Sequence, residues 1–200
     1  MTTAILQTTY FGPVQWYQKL KRFDHCLIEQ YDSYQKQTYR NRCVIATTNG
    51  LQALTVPVEH TDEKTLVKDL RISDHNQWRR IHWNALMSAY SESPFFEYYA
   101  DDIRPFFEKR YDFLIDFNEA IRQTICQLID IQPKVEYTTD YMRQCNNDYR
   151  EVINAKHPQP DNDFEPRTYW QVFQQKHGFQ ANLSLLDLLF CMGPESVFYL

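Results

Sequence analysis

The chain has 200 residues, 43% of them hydrophobic, enough apolar material to bury one core and too much for a disordered or fibrous chain. Its 21 Lys and Arg are outnumbered by 26 Asp and Glu, for a net charge of −5, which argues against nucleic-acid binding, because that affinity comes from many basic groups on one face. The only glycines, Gly12, Gly50, Gly178 and Gly193, lie far apart, so neither the dinucleotide-binding turn nor the P-loop can be assembled, since both cluster glycines to let phosphate approach the backbone.

Ala4 to Tyr10 has strand character, and after Gly12-Pro13 the residues Val14, Trp16, Tyr17, Leu20 and Phe23 recur at helical spacing. His25 to Glu29 reads as a buried strand, so the first thirty residues predict a strand-helix-strand crossover with parallel strands. Two β-prone runs flank Asn49-Gly50 between Cys43 and Val58, the strongest short-range signal for a hairpin. Pro57 lacks a ladder donor and belongs at a strand end or edge, and a further strand is expected from Leu66 to Ile72.

From residue 74 the pattern becomes helical. Asp74 is placed to cap a helix whose inner face carries Trp78, His82, Ala85 or Leu86, and Ala89. Ser93-Pro94 reads as a cap and first residue of an aromatic helix that Pro105 restarts or kinks. Phe113, Phe117, Ile121, Ile125 and Leu128 mark a helix of about four turns. Residues 154 to 167, with Pro158, Pro160 and Pro166, form a long surface loop of the kind that often carries function. Ser184 to Asp187 resembles a capping box opening a buried last helix, which Gly193-Pro194 stops.

The fold class expected is α+β. A small mixed β-sheet, formed mainly by the N-terminal ~72 residues as strand-helix-strand plus the Asn-Gly hairpin, packs with helices from the middle and C-terminal parts. One domain over 1–200 is expected, with a subdivision into a sheet part (1–73) and a mainly helical part (74–200) as the alternative. No run approaches the ~18 apolar residues that span a bilayer, and the first residues lack the basic start and apolar stretch of a signal peptide. A cytoplasmic protein without membrane insertion is therefore expected. The cysteines, Cys26, Cys43, Cys126, Cys145 and Cys191, are odd in number and never in CxxC spacing, which fits reduced thiols better than disulfides or zinc.

The densest polar stretch is Tyr34 to Arg42, where Lys36, Arg40 and Arg42 stand among hydrogen-bonding side chains in an otherwise acidic chain. Guanidinium forks bind carboxylate or phosphate, and Lys adds a point charge, so an anionic ligand is one reading; a solvated loop with acidic counterions is the other. Gln7 and Tyr10 sit where ligands bind beyond the carboxyl ends of parallel strands, or they belong to the turn and the core. Asp24, Glu29 and Asp32 bracket the second strand as a base held by arginine or as counterions of the basic cluster. His75 and His82 are two helical turns apart, too far to share a metal, so no metal site is assigned. His82 is the candidate proton acceptor, against the alternative of a hydrogen-bonded core residue. No cofactor is indicated, GxSxG is absent and no cysteine has a catalytic context.

Gln7-Thr8-Thr9-Tyr10-Phe11-Gly12-Pro13, Asn41-Arg42-Cys43-Val44-Ile45, Leu54-Thr55-Val56-Pro57-Val58 and Leu183-Ser184-Leu185-Leu186-Asp187-Leu188-Leu189-Phe190 occur in this order across almost the whole chain. Together they resemble the WbqC-like family. Thr8 stands where that family often has proline, and no Ser/Gly-rich segment lies between Tyr137 and Thr168. The resemblance implies a bacterial cytoplasmic protein associated with surface-polysaccharide gene clusters, without fixing a reaction. Two functions follow as expectations. One is a transferase acting on a nucleotide-linked sugar or related anionic precursor, with Lys36, Arg40 and Arg42 clamping the anion, Asn41 and Gln7 orienting the substrate, Tyr10 as a wall or hydroxyl, and His82 accepting a proton. The other is a non-catalytic binding or scaffold protein that recognises an anionic ligand or acidic partner with the same residues. The aromatic-rich surface also admits a homodimer.

Overall fold

The structure, a computed structural model, describes residues 2–62 and 64–200. Strand β1 (Thr3–Gln7) runs into helix α1 (Val14–Arg22) and returns as β2 (His25–Glu29). β1 and β2 pair in parallel, Thr3 opposite His25 through Gln7 opposite Glu29, as the crossover pattern predicts. Ala4, Ile5 and Leu6 are fully buried, because β1 is covered on its second edge too: Ile5 N–H donates to the Asn147 carbonyl at 2.9 Å, and Tyr149 N–H donates to Ile5 at 3.0 Å. A strand enclosed in this way reads as a continuous apolar run. Helix α1 turns Trp16, Tyr17 and Leu20 into the core and carries Lys19, Lys21 and Arg22 in its last turn, where cations complement the helix dipole.

β3 (Arg42–Thr47) and β4 (Gly50–Thr55) form the expected hairpin, an antiparallel pair closed by Thr48-Asn49. Helices α2 (Trp78–Tyr90), α3 (Phe96–Ile103), α4 (Pro105–Glu108) and α5 (Leu114–Leu128) follow, then β5 (Val135–Tyr137), α6 (Gln174–His177) and α7 (Leu185–Met192). The fold is α+β with both parallel and antiparallel pairing, distributed over two sheets: β1-β2-β5 and β3-β4. β5 adds to β2 in parallel and comes from beyond the helical stretch, so the sheet is completed by a segment too short to show a period of its own.

Three local expectations are corrected. Leu66 to Ile72 is not a strand: Val67–Asp69 is a single 3-10 turn, and only isolated bridges reach Ser33, Val58 and Phe113. Val67 and Leu70, 0% and 1% exposed, are buried at a spacing of three, the repeat of a 3-10 turn. Asp74 does not cap α2, because left-handed Asn76 and Gln77 break the chain before Trp78 and the Asp74 carboxylate is taken by Arg79 and Arg110. Ser93 closes α2 instead of opening α3, its hydroxyl donating to the Tyr90 carbonyl at 2.7 Å.

Candidate functional site

Parallel strands end with their final carbonyls and side chains facing one edge, and ligands of such sheets collect there. Gln7 and Glu29, each 1% exposed, stand side by side at that edge. Glu29 is saturated. One oxygen accepts from Tyr31 N–H and the Thr138 hydroxyl, both at 2.8 Å, and the other from Met142 N–H at 2.9 Å and Arg150 Nη1 at 3.3 Å. Arg150 also grips Asp148, with Nη2 at 2.6 Å. Of the two sequence readings of Glu29, this geometry is that of a counterion and brace: each oxygen already holds two donors.

Arg40 is the other cation here, 1% exposed, with Nη2 donating to Asp32 at 2.5 Å. Burial lowers its pKa, Asp32 and Glu151 oppose that, and Arg150 adds repulsion. Its Nη1 is buried without a hydrogen-bond partner among the described residues. Gln7 is half-used in the same way: Nε2 donates to the Ile153 carbonyl, and Oε1 is buried without a partner among the described residues. Asn118, on α5, fastens the segments together, donating to Thr8 Oγ1 at 3.1 Å and to the Arg40 carbonyl at 2.8 Å. Tyr10 N–H to the Tyr39 carbonyl at 2.9 Å adds a further tie. Asn41 donates to the Val56 carbonyl at 2.8 Å and its side chain also interacts with the Tyr34 hydroxyl; among the described residues Asn41 Oδ1, Asn118 Oδ1 and Thr9 Oγ1 accept no hydrogen bond within normal geometry. Buried polar atoms are nearly always hydrogen-bonded, and each one left alone costs about 1–3 kcal/mol. Among the described residues, Gln7, Thr9, Arg40, Asn41 and Asn118 carry five such atoms, and others occur on separate elements, at Gln18 and Arg79.

The structure thus ties the segments that carry Gln7, Arg40 and Asn41 to one another through Asn118 and the Tyr10–Tyr39 backbone bond, while the three side chains themselves bond to Ile153, Asp32 and Val56. Tyr10 and His82 meet elsewhere, inside the aromatic core: the Tyr10 hydroxyl lies 2.9 Å from His82 Nδ1, against Phe117 and Trp78. Burial pushes the His82 imidazole down to about 4, a hydrogen bond to the Thr55 backbone partly opposing it, and burial raises the Tyr10 hydroxyl well above its ordinary range. Arg42 is half-buried on β3, with Nε 3.2 Å from Thr55 Oγ1, and Lys36 is exposed.

The sequence reading missed Asn118, Arg150 and Thr138. Asn118 carried a signal, a polar residue set directly beside Phe117 on the apolar side of a helix; Arg150 and Thr138 lie in or next to irregular chain and carried none. The 154–167 loop is pinned to α1: Lys19, fully buried, pairs with Asp161 at 2.7 Å, and Arg22 with Asp163 at 2.8 Å. Burial pushes the Asp161 carboxyl up, but hydrogen bonds from Lys19 and Gln15 outweigh it and hold the pKa below its ordinary value. Among the described residues no group of three or more His, Cys, Asp or Glu is placed to hold a metal ion.

These features define an α+β protein with a buried, partly unsatisfied polar centre at the carboxyl end of a short parallel sheet. The chain belongs to the WbqC-like protein family, whose model matches residues 7–162. It is also similar to uncharacterized protein Rv1507c of Mycobacterium tuberculosis (strain ATCC 25618 / H37Rv), with 26% identity over 222 aligned positions that cover 98% of this chain and 96% of that one. No solved structure is significantly similar to it. No helix among the described residues is long and apolar enough to cross a membrane.

Proposed function

We propose that this chain acts as one cytoplasmic unit, a transferase for a nucleotide-linked sugar or related anionic precursor in surface-polysaccharide biosynthesis, with Arg40 at the centre of its binding site. The observation that carries this reading is the Arg40 guanidinium, held by Asp32 on one nitrogen and, among the described residues, without a hydrogen-bond partner on Nη1. A fixed, desolvated guanidinium with a free N–H is suited to a phosphate or carboxylate oxygen. Gln7 Oε1 and Asn41 Oδ1 are acceptors for hydroxyl groups of the ligand, and exposed Lys36 and half-buried Arg42 supply positive charge outside them. His82 is neutral at pH 7 and in this reading accepts a proton.

A second reading, binding of an anionic ligand without turnover, is favoured by the position of His82 and Tyr10. They are bonded to each other inside the aromatic core, against Phe117 and Trp78, so the imidazole nitrogen that faces Tyr10 is already engaged.

The test is a thermal-shift and calorimetric screen of wild type and Arg40→Gln against nucleotide sugars, the corresponding nucleotides and inorganic phosphate. Ligand at a hundredfold excess over its Kd stabilises the folded state by about 2.7 kcal/mol. The expected result is a shift with wild type that Arg40→Gln loses while keeping its circular dichroism spectrum. Lys36→Ala and Arg42→Ala, which alter accessible side chains, should weaken binding and leave the fold unchanged. Binding retained by Arg40→Gln, or no saturable ligand in any class, refutes the site. Mass-spectrometric detection of a converted ligand separates transferase from binding protein.

A further inference from the structure

Helix α6 meets the tip of the β3-β4 hairpin, and a cavity of about 170 Å³ is left between them. The two sides are tied at one carbonyl: Thr48, in the hairpin turn, accepts from Lys176 Nζ at 2.7 Å and from His177 Nε2 at 3.0 Å. Ala46, Leu51 and Phe173 give the cavity an apolar lining. Gly50 and Gly178, two of the chain's four glycines, also line it and add no side chain. A Cβ built at either would meet no heavy atom within 4 Å beyond its chain neighbours, so the space stays open at both points.

Three polar side chains complete the lining, and no Asp, Glu, Lys or Arg is among them. Gln171, buried, is fully used: Nε2 donates to the Tyr169 hydroxyl at 3.1 Å and to Asp187 and the Gln180 carbonyl at 2.9 Å, and Oε1 accepts from Gln180 N–H at 2.8 Å. Gln180 and His177 are used on one side only. Gln180 Nε2 donates to the His177 carbonyl at 2.8 Å, which fixes the amide and leaves Oε1 as an acceptor without a partner among the described residues. A carbonyl can only accept, so the His177 Nε2 that meets Thr48 carries the proton, and Nδ1 of the neutral ring is a second acceptor without a partner among them.

We propose that this cavity binds an uncharged, ring-sized apolar group carrying one O–H or N–H donor, a ligand of the phenol class. The size follows from the volume: an apolar cavity of about 150 Å³ takes up benzene, and this one is slightly larger. Phe173 supplies a ring for edge or offset contact with the ligand's own. The polarity follows from the unused atoms. His177 Nδ1 and Gln180 Oε1 both accept, so a hydroxyl or ring N–H finds a partner, whereas a carboxylate sets its oxygens against two acceptors and finds no cation in the lining. The site is also preorganised, with Gln171 fastened to buried Asp187 and both sides fastened to Thr48, which limits the ordering cost of binding. The cavity shares no residue with the Arg40 site, so its test stands whatever that site binds.

The experiment is an amide chemical-shift titration of the ¹⁵N-labelled chain with phenol, toluene and benzoate as probes. Phenol is expected to give saturable shifts centred on residues 46–51 and 171–180, to bind about fivefold tighter than toluene, the worth of one net hydrogen bond, and to leave benzoate without a saturable shift there. The double variant His177→Phe with Gln180→Met keeps similar side-chain volumes and removes both acceptors. It is expected to keep the circular dichroism spectrum and the affinity for toluene, and to bind phenol no better than toluene. The wild-type ranking decides the matter even where the variant does not fold. No saturable phenol shift at these residues overturns the proposal, as does benzoate binding as tightly as phenol, or a folded double variant that still prefers phenol.

Discussion

Acidification from about pH 7.5 to about pH 5 is expected to remove about 2 kcal/mol of stability through His82 alone. Burial holds the native imidazole near 4, against 6.5 for an ordinary histidine, with the Thr55 backbone opposing the shift. As pH falls through 6.5 the unfolded chain takes up a proton that the folded chain refuses. The contribution is therefore fully present above the unfolded value, is lost as pH falls, and levels off below the native one. The gap, at about 1.4 kcal/mol per unit, amounts to about 3 kcal/mol when complete, of which about 2 kcal/mol has been lost by pH 5. His82→Gln retains an acceptor for the Tyr10 hydroxyl and does not titrate. Asp74, whose carboxylate is held down by Arg79, and Asp161, held down by Lys19 and Gln15 against burial, also titrate at low pH, but they do so in both proteins. The assay is urea unfolding of wild type and His82→Gln at the two pH values, by linear extrapolation. The variant should start less stable and lose about 2 kcal/mol less on acidification. Equal losses would refute the reasoning, and would mean that the imidazole is hydrated or that its pocket opens to admit the proton.

Two further changes test the core. Asp187 is completely buried and accepts from the Tyr90 and Tyr169 hydroxyls and the Gln171 amide at 2.7–2.9 Å, and burial raises its pKa although these bonds oppose it. Because the native pKa is raised, ionisation works against the fold, and Asp187→Asn should cost less than Asp187→Ala, which strands those donors at about 1–3 kcal/mol each; thermal melts of the two variants compare them directly. Gly193 has φ +56° and a Cβ there would lie 2.6 Å from the Phe95 ring, whereas Gly50, φ +105°, has open space. Gly193→Ala should therefore lower Tm well beyond the backbone cost of about 1 kcal/mol expected for Gly50→Ala, and equal shifts would contradict the packing described.

Much of the frame is local and was legible. The alternation of β1 with α1, the Thr48-Asn49 turn ahead of Gly50, the 15 residues of α5 and the Ser184 start of α7, where the hydroxyl accepts from Leu186 N–H, are set by side-chain period and by turn and cap chemistry within a few residues. The roles of polar side chains were not. Lys36 and Arg40 read alike, yet one is exposed and the other buried. Gln37 at φ +65° lies between them, in a loop that is tied to Tyr10, beyond β1, and to Asn118 on α5.

The sequence by itself determined the α+β class, the parallel crossover, the hairpin and the family, because these follow from the order of apolar residues, turn signals and motifs along the chain. Only the tertiary structure decided what each polar group faces. Asp187 reads as the second half of a capping box, yet its carboxylate points into the core, where residues 90, 169 and 171 supply its donors. The third strand of the parallel sheet is Val135–Tyr137, three residues whose strand conformation depends on Cys26, Leu27 and Ile28 lying beside them. The polar centre likewise exists only where Gln7, Arg40 and Asn118, more than a hundred positions apart at the extremes, are brought together by the folded chain.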